Sequence, residues 1–200
     1  MLDQLRSIVQ AVNSARDLKS ALELIVSRVS TALGTQVCSV YLFDADMGAH
    51  VLMASEGLKA ESVGRVSLQT GEGLVGLVAK HAEPINLSDA SKHPSFFYLQ
   101  DTGEEEFNSF LCVPIIHHRA VLGVLVVQQR ERRRFDEGEE AFLITLSAQR
   151  SAVIALAEAT GAIEGLSPSG QKTADTVFPG VSGSSGVAMG KAVVVFPHAD

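Results

Sequence analysis

The chain has 200 residues, of which 46% are hydrophobic, enough for one packed domain with an appendage. Its formal net charge of −7 opposes binding to a phosphate backbone, so nucleic acid is excluded as an expected partner. No apolar run approaches the roughly 20 residues of a membrane span, and Asp3 and Arg6 interrupt the N-terminus as they would not in a signal peptide. We therefore expect a cytoplasmic protein that does not contact a membrane.

Two amphipathic helices are predicted at the start of the chain. Apolar residues between Leu2 and Val12 recur at helical spacing, and the pattern repeats from Leu18 to Leu33. Asp17 is placed to cap the second helix, and Gly34 is placed to end it.

Short β-strands dominate the middle of the chain, because β-branched and aromatic runs alternate there with turn residues. The predicted elements are a hairpin of strands 37–43 and 50–55, a strand 63–68, a helix 74–80, a polar segment 88–108, and a second hairpin of strands 110–116 and 121–128.

A long helix is predicted over residues 136–159. Glu139 follows Asp136 by three residues, which is the spacing of a capping box. The apolar side of this helix is predicted to comprise Phe142, Ile144, Leu146, Ala148, Val153, Ile154, Leu156 and Ala157.

Strands flanked by helices at both ends, without βαβ alternation, predict an α+β fold with a central antiparallel sheet. We expect the terminal helices to pack on one face of this sheet. The short helix and the 88–108 segment should cover the other face. Because small-molecule pockets form where loops roof a rigid scaffold, we expect a pocket on that second face.

A series of motifs in fixed order resembles the GAF domain family. The matching segments are 40–44 (VYLFD), 71–76 (GEGLVG), 84–89 (PINLSD), 113–115 (VPI) followed by 121–125 (VLGVL), and 135–136 (FD). The resemblance implies a GAF-like fold with the layers described above, and a sensory role for residues 1–160.

The end of the chain resembles a different family. Residues 185–192 (SGVAMGKA) are similar to the first strand of the phosphohistidine region in enzyme I-type phosphoenolpyruvate-protein phosphotransferases, with Ser185 where proline is frequent. We expect residues 161–176, rich in Ser, Gly and Thr, to be a flexible linker and residues 177–200 to be a truncated first strand of that region.

A GAF domain followed by an enzyme I start resembles the nitrogen-branch enzymes I. The resemblance implies a parent phosphotransferase that uses Mg and phosphoenolpyruvate and passes phosphate to a phosphocarrier protein. It implies no catalytic residue and no cofactor in this part. The sequence also shows no nucleophile-elbow pattern and no Cys/His spacing typical of a metal site. Cys38 and Cys112 lie in apolar strand patterns, where we expect them to act as small hydrophobes.

Gly71, Gly73 and Gly76 satisfy the GxGxxG pattern of dinucleotide-binding folds. That pattern requires a buried parallel strand before it and a full crossover helix after it, whereas Pro84 follows here and two helices precede the sheet. We interpret the glycines as a tight helix start with close backbone packing.

Strand alternation places Ser39, Tyr41 and Phe43 on one face of the first strand and the residues between them on the other. Either face can line the pocket, and the polar members favour the first. The candidate ligand-binding residues are Ser39, Tyr41, Phe43, Glu56, Asp89, Phe96, Phe97, Phe107, Ser109 and Leu111. The alternative is that the aromatic residues of the 88–108 segment form a lid packed on the core.

Two ligand classes known in the GAF family are disfavoured. An Asn-Lys pair typical of cyclic nucleotide binding is missing, and Phe135 is followed directly by Asp136 and Glu137. Bilin binding needs a thiol in the loop region, whereas Cys38 and Cys112 lie in strands.

The resemblance to nitrogen-branch enzymes I implies an amino-acid ligand, with glutamine the usual candidate. Its α-ammonium needs an acidic partner, for which we consider Asp89 or Glu56. Its carboxylate or amide needs donors, for which we consider Ser39, Ser109 or Tyr41.

The domain then regulates phosphotransfer in response to a small molecule; the alternative is a ligand-free dimerisation or docking module. In either case we expect a homodimer formed by the terminal helices. The residues expected near its seam are Leu2, Leu5, Val9, Val153 and Leu156.

Overall fold

A computed structural model of the chain describes residues 2–13, 15, 17–96, 102–103 and 107–159. The predictions for residues 161–200 therefore lie outside the described residues. The helices and strands are α1 (Leu2–Asn13), α2 (Leu18–Leu33), β1 (Val37–Asp44), β2 (Ala49–Glu56), β3 (Ser67–Gln69), α3 (Gly73–His81), β4 (Ile85–Leu87), β5 (Ser109–His117), β6 (Ala120–Gln129) and α4 (Glu137–Ala159). Short 3₁₀ helices occupy Ala60–Ser62 and Ala90–Lys92.

The strands form one six-stranded sheet in the order β3-β2-β1-β6-β5-β4, and each neighbouring pair is antiparallel. Helices α1, α2 and α4 contribute to a helix-side core on one face, whereas α3 contributes to an α3-side core on the other. This architecture confirms the predicted α+β class. In the described part of the chain, no helix is both long and apolar enough to cross a bilayer.

The predicted helix caps are confirmed. The Asp17 carboxylate accepts a hydrogen bond from the Ser20 amide at 2.7 Å, and Gly34 ends α2 in the left-handed conformation with φ 63°. At the start of α4, the Asp136 amide donates to the Glu139 carboxylate at 2.8 Å and the Glu139 amide donates to the Asp136 carboxylate at 2.8 Å. These reciprocal bonds are a capping box, so the direction in which α4 leaves the sheet is fixed locally.

Two strand predictions need correction. The strand predicted at 63–68 is instead the shorter β3 (Ser67–Gln69), because the preceding residues form a 3₁₀ helix and a turn. Strand β4 (Ile85–Leu87) was not predicted, because three residues after Pro84 are too few to show the alternation of a strand. It pairs with β5 and forms one edge of the sheet.

The buried side of α4 also differs from the predicted one. Phe142, Leu143 and Leu146 are buried, whereas Ile144 is 39% exposed and Ala148 is exposed. Successive helical residues are rotated by about 100°, so residue 144 points away from the side shared by 142, 143 and 146. The side chains predicted at 153–157 lie outside the described part.

The GxGxxG segment forms a tight helix start, as interpreted from the sequence. Gly71 and Gly73 have positive φ values of 93° and 62°, and the Gly71 amide donates to the Gly76 carbonyl at 2.7 Å. A Cβ atom on Gly76 would lie 2.2 Å from the Gln69 carbonyl oxygen and 2.9 Å from the Gly71 nitrogen. The glycines therefore allow the loop and α3 to approach each other closely.

Candidate functional site

The face of β1 that carries Ser39, Tyr41 and Phe43 is turned toward α3. Tyr41 belongs to the α3-side core, whereas Cys38 and Val40 belong to the helix-side core. The structure thus places the favoured set of β1 residues on the face that the 88–108 segment was expected to roof.

These β1 side chains are packed. Ser39 and Tyr41 are buried, and the Ser39 and Ser55 hydroxyl oxygens lie 2.9 Å apart in a hydrogen bond. The Phe43 ring contacts the His50 ring at a centroid distance of 5.2 Å. A ligand that reached Ser39 or Tyr41 would first have to displace neighbouring side chains.

Leu111 does not join this set. The register pairs both Leu111 and Cys38 with Val127, which places Leu111 in the helix-side core. Leu111 and Tyr41 therefore lie on opposite faces of the sheet, and they cannot line one pocket. The β5 residues that belong to the α3-side core are Phe110 and Cys112.

The Ser109 hydroxyl is engaged with the chain before α4. It accepts a hydrogen bond from the Arg133 amide at 2.8 Å and donates to the Glu131 carbonyl. Ser109 is buried at the start of β5, so its position is that of a structural anchor.

The Asp89 carboxylate is likewise engaged. One oxygen accepts a hydrogen bond from the Ser91 hydroxyl at 2.6 Å, and the other lies 3.3 Å from the Lys92 ammonium and 3.5 Å from the Arg132 guanidinium. The Ser91 hydrogen bond, aided by Lys92 and Arg132, lowers the pKa of Asp89. An α-ammonium group would have to compete with two cations for this carboxylate.

The remaining predicted residues are scattered. Glu56 is exposed at the end of β2, and Phe96 packs against the α3-side core. Phe107 lies beneath the Arg130 guanidinium, 5.7 Å from the ring centroid. Phe97 lies outside the described residues. The structure therefore places Tyr41 and Phe96 in or against one cluster, whereas the Asp89 carboxylate faces Lys92 and Arg132.

A cleft that the sequence analysis missed lies beside this face. It has a volume of about 490 Å³ and is lined by Lys59, Glu61, Ser62, Arg65 and Val66. Val66 is also a member of the α3-side core, so the cleft adjoins that core. The cleft was missed because a strand was predicted at 63–68, where the chain forms a turn. The charged residues Lys59, Glu61 and Arg65 around that turn could have indicated a polar cleft.

The cleft is tied to the 88–108 segment, which we call the roof segment. The Lys59 amide donates to the Thr102 carbonyl at 3.2 Å, and Gly103 lies close to the Lys59 side chain. The cleft carries two cationic side chains and one carboxylate, a mixture that suits a ligand with both charges.

A second groove lies between α1 and α4. It has a volume of about 460 Å³ and is lined by Asp3, Leu5, Arg6, Val9 and Gln149. Two residues of the predicted dimer seam, Leu5 and Val9, are therefore found along this groove.

The cysteines are buried, as expected. Cys38 lies in the helix-side core and Cys112 in the α3-side core, and burial raises the pKa of both thiols. Neither thiol has the exposure or low pKa of a nucleophile. Within the described ranges, no group of three or more His, Cys, Asp or Glu side chains is arranged to hold a metal ion.

His50 is a buried histidine on the α3 side of the sheet. It is 2% exposed, it hydrogen-bonds the backbone of Leu68, and its Nδ1 has no hydrogen-bond partner among the described residues. Burial lowers its pKa below the ordinary value of 6.5, so the folded protein holds the neutral imidazole.

We expect the free energy of unfolding to fall as the pH drops below about 6.5. His50 then binds a proton in the unfolded chain, whereas its lowered pKa keeps it unprotonated in the folded protein. The uptake of one proton limits the slope to about 1.4 kcal/mol per pH unit, and His50→Gln should reduce it. The pKa values of Asp89 and Glu139 are lowered, so these carboxylates affect the pH dependence only around and below their ordinary values of 3.8 and 4.5. Urea unfolding between about pH 5 and 6.5 therefore separates the contribution of His50 from theirs. Exposed His81→Gln is the control; an unchanged slope in His50→Gln contradicts the assignment.

Residues 17–154 match the GAF domain family, and the chain belongs to that family. Among its relatives, a Salmonella typhimurium protein of the phosphoenolpyruvate-dependent phosphotransferase system is 48% identical over 160 residues, 80% of this chain and 21% of the relative. The GAF domain of a phosphoenolpyruvate-protein phosphotransferase (ptsP) from Coxiella burnetii is 46% identical with a TM-score of 0.78, over 80% of this chain and 96% of that one.

The corresponding Acinetobacter domain is 52% identical with a TM-score of 0.75, over 80% of this chain and 95% of that one. The chain therefore contains a GAF domain similar to those of phosphotransferase-system enzymes, which confirms the family resemblance seen in the sequence. It spans about a fifth of the length of the Salmonella relative.

Proposed function

We propose that this GAF domain is a regulatory small-molecule sensor that modulates phosphoenolpyruvate-dependent autophosphorylation of a nitrogen-related enzyme I. The observation that carries the proposal is the identity of 46 to 52% with GAF domains of phosphoenolpyruvate-protein phosphotransferases over almost their whole length. In this proposal a longer cytoplasmic parent protein uses Mg and phosphoenolpyruvate and passes phosphate to a phosphocarrier protein. The GAF domain itself supplies no catalytic residue.

The proposed ligand is an amino acid, with glutamine as the first candidate. The cleft at Lys59, Glu61 and Arg65 supports this class, because the two cations suit an α-carboxylate and Glu61 suits an α-ammonium. It is a more accessible charge set than Asp89, whose carboxylate already faces Lys92 and Arg132.

The test is calorimetric titration of the chain with glutamine, backed by thermal unfolding. A ligand at 100 times its dissociation constant adds about 2.7 kcal/mol to the free energy of unfolding, which raises the unfolding temperature measurably. We expect Arg65→Ala to weaken binding about tenfold or more, because a charge-assisted hydrogen bond is lost. Arg28→Ala, at an exposed position of α2, is the matched control and should leave binding unchanged.

Binding that survives both Arg65→Ala and Lys59→Ala would place the ligand elsewhere. No binding at millimolar glutamine or in a panel of amino acids would overturn the sensor proposal.

The groove between α1 and α4 favours the second candidate function, a ligand-free dimerisation or docking module. Leu5 and Val9 line that groove together with the charged residues Asp3 and Arg6. A homodimer that binds none of the amino acids would leave this second function in place.

A further inference from the structure

The residues that lead into α4 are held by one side chain of β4. We call residues 130–136 the approach segment. The Asn86 side-chain carbonyl accepts a hydrogen bond from the Phe135 amide at 3.1 Å. The Asn86 amide nitrogen donates to the Phe135 carbonyl at 2.9 Å and to the Glu140 carboxylate at 2.8 Å. One side chain thus binds both the approach segment and the first turns of α4.

The C-terminal end of the roof segment is hydrogen-bonded to the same approach segment. The Asn108 side chain donates to the Arg130 carbonyl at 2.7 Å and accepts from the Arg132 guanidinium at 3.1 Å. Ser109 holds the Arg133 amide at 2.8 Å. Asn86 precedes the 88–108 segment and Asn108 ends it, so both ends of that segment are fastened to the approach segment.

The approach segment is in turn rigidly joined to α4. The Arg133 guanidinium makes two hydrogen bonds of 2.7 Å to the Glu139 carboxylate and lies 4.8 Å from the centroid of the Phe135 ring. The Phe135 side chain is buried in the helix-side core while its backbone is held by Asn86. A shift of β4 would therefore be passed to the start of α4 through Phe135.

We propose that Asn86 is a positioning residue that couples the edge of the roof segment to the start of α4. Strand β4 has three residues and lies at the edge of the sheet, which makes it easier to displace than β1 or β6. This inference rests on the proposed sensor function for its biological use, because a ligand whose binding displaced β4 would be read out at α4. The coupling itself is a property of the chain without ligand.

The test is amide hydrogen exchange on the whole chain with Asn86→Asp. This change keeps the shape and the acceptor for the Phe135 amide, but it replaces the donor with a carboxylate oxygen beside the Glu140 carboxylate. We expect exchange in β4 and in the first turns of α4 to become about tenfold faster or more, because part-buried polar groups lose their partners. In the double variant N86D/E140Q, the new side-chain amide restores a donor across the same contact, and most of the protection should return.

Glu140→Gln alone is the matched control and should change exchange only slightly, because its carbonyl oxygen still accepts from Asn86. A second perturbation acts on α4. Asp136→Ala breaks the capping box and should speed exchange in β4 of the otherwise wild-type chain. The same change should speed it less when Asn86→Asp is already present. Reciprocity is required of any real coupling. Should Asn86→Asp fail to fold, Glu140→Ala removes one of the three bonds and should give a smaller change at the same two places.

Faster exchange confined to one of the two elements, or no recovery in N86D/E140Q, would overturn the proposal. These measurements need no ligand, so their failure is distinct from a failure of glutamine to bind. Binding without coupling would mean a sensor that transmits by another route. Coupling without glutamine binding would support the positioning role of Asn86 and would remove the proposed sensor function.

Discussion

Gly76→Ala should destabilise the domain by at least about 3 kcal/mol, the upper range for overpacked sites. The added Cβ would meet the Gln69 carbonyl oxygen at 2.2 Å and the Gly71 nitrogen at 2.9 Å. Both are backbone atoms, and the hydrogen bond from the Gly71 amide to the Gly76 carbonyl closes the chain between them and α3, so relief of the clash requires a backbone shift. Helix α3 would have to lift from the sheet and withdraw Leu74 and Val78 from the α3-side core.

Urea unfolding of the variant against the wild type measures this loss. Gly138→Ala is the matched control, because Gly138 is exposed in α4 and alanine favours a helix by up to about 1 kcal/mol. A Gly76→Ala protein within 1 kcal/mol of the wild type would contradict the close approach of loop and helix.

Leu143→Ala should cost about 2 to 5 kcal/mol, because it removes a fully buried side chain and leaves a cavity where α4 packs on the sheet. Its neighbour Ile144 is 39% exposed, so Ile144→Ala should cost less than about 1 kcal/mol. The pair removes similar volume from adjacent positions, which makes each the control for the other. Thermal or urea unfolding separates them.

Equal losses in the two variants, or a larger loss for Ile144→Ala, would show that α4 is rotated relative to the sheet from the arrangement described. The sequence pattern placed Ile144 inside, so this pair decides between the pattern and the structure.

The elements with strong local signals were predicted well. Strand β1 and helix α2 carry long apolar patterns, and Asp17, Gly34 and the Asp136–Glu139 pair are capping residues whose role is set by their immediate neighbours. The GxGxxG segment was also interpreted correctly, because its surroundings excluded a dinucleotide fold.

The features that the sequence did not predict have a common physical cause, which is dependence on distant parts of the chain. Leu111 faces the helices because β5 pairs with β6 and β6 with β1, a register that no local pattern contains. Asp89 is paired with Arg132, far along the chain. The cleft at Lys59 to Val66 is built from a 3₁₀ helix and turns, which lack the periodicity on which sequence prediction depends.

The two cysteines give the protein a pair of intrinsic chemical reporters. Cys38 and Cys112 are fully buried on opposite faces of one sheet, and a thiol is modified only when it becomes exposed as thiolate. The rate at which Cys38 is alkylated therefore reports how often α1, α2 and α4 separate from the sheet, whereas the alkylation rate of Cys112 reports how often α3 does so. In variants that keep only one of the two cysteines, the opening rate of each helical layer can be measured separately, without a label on the folded chain.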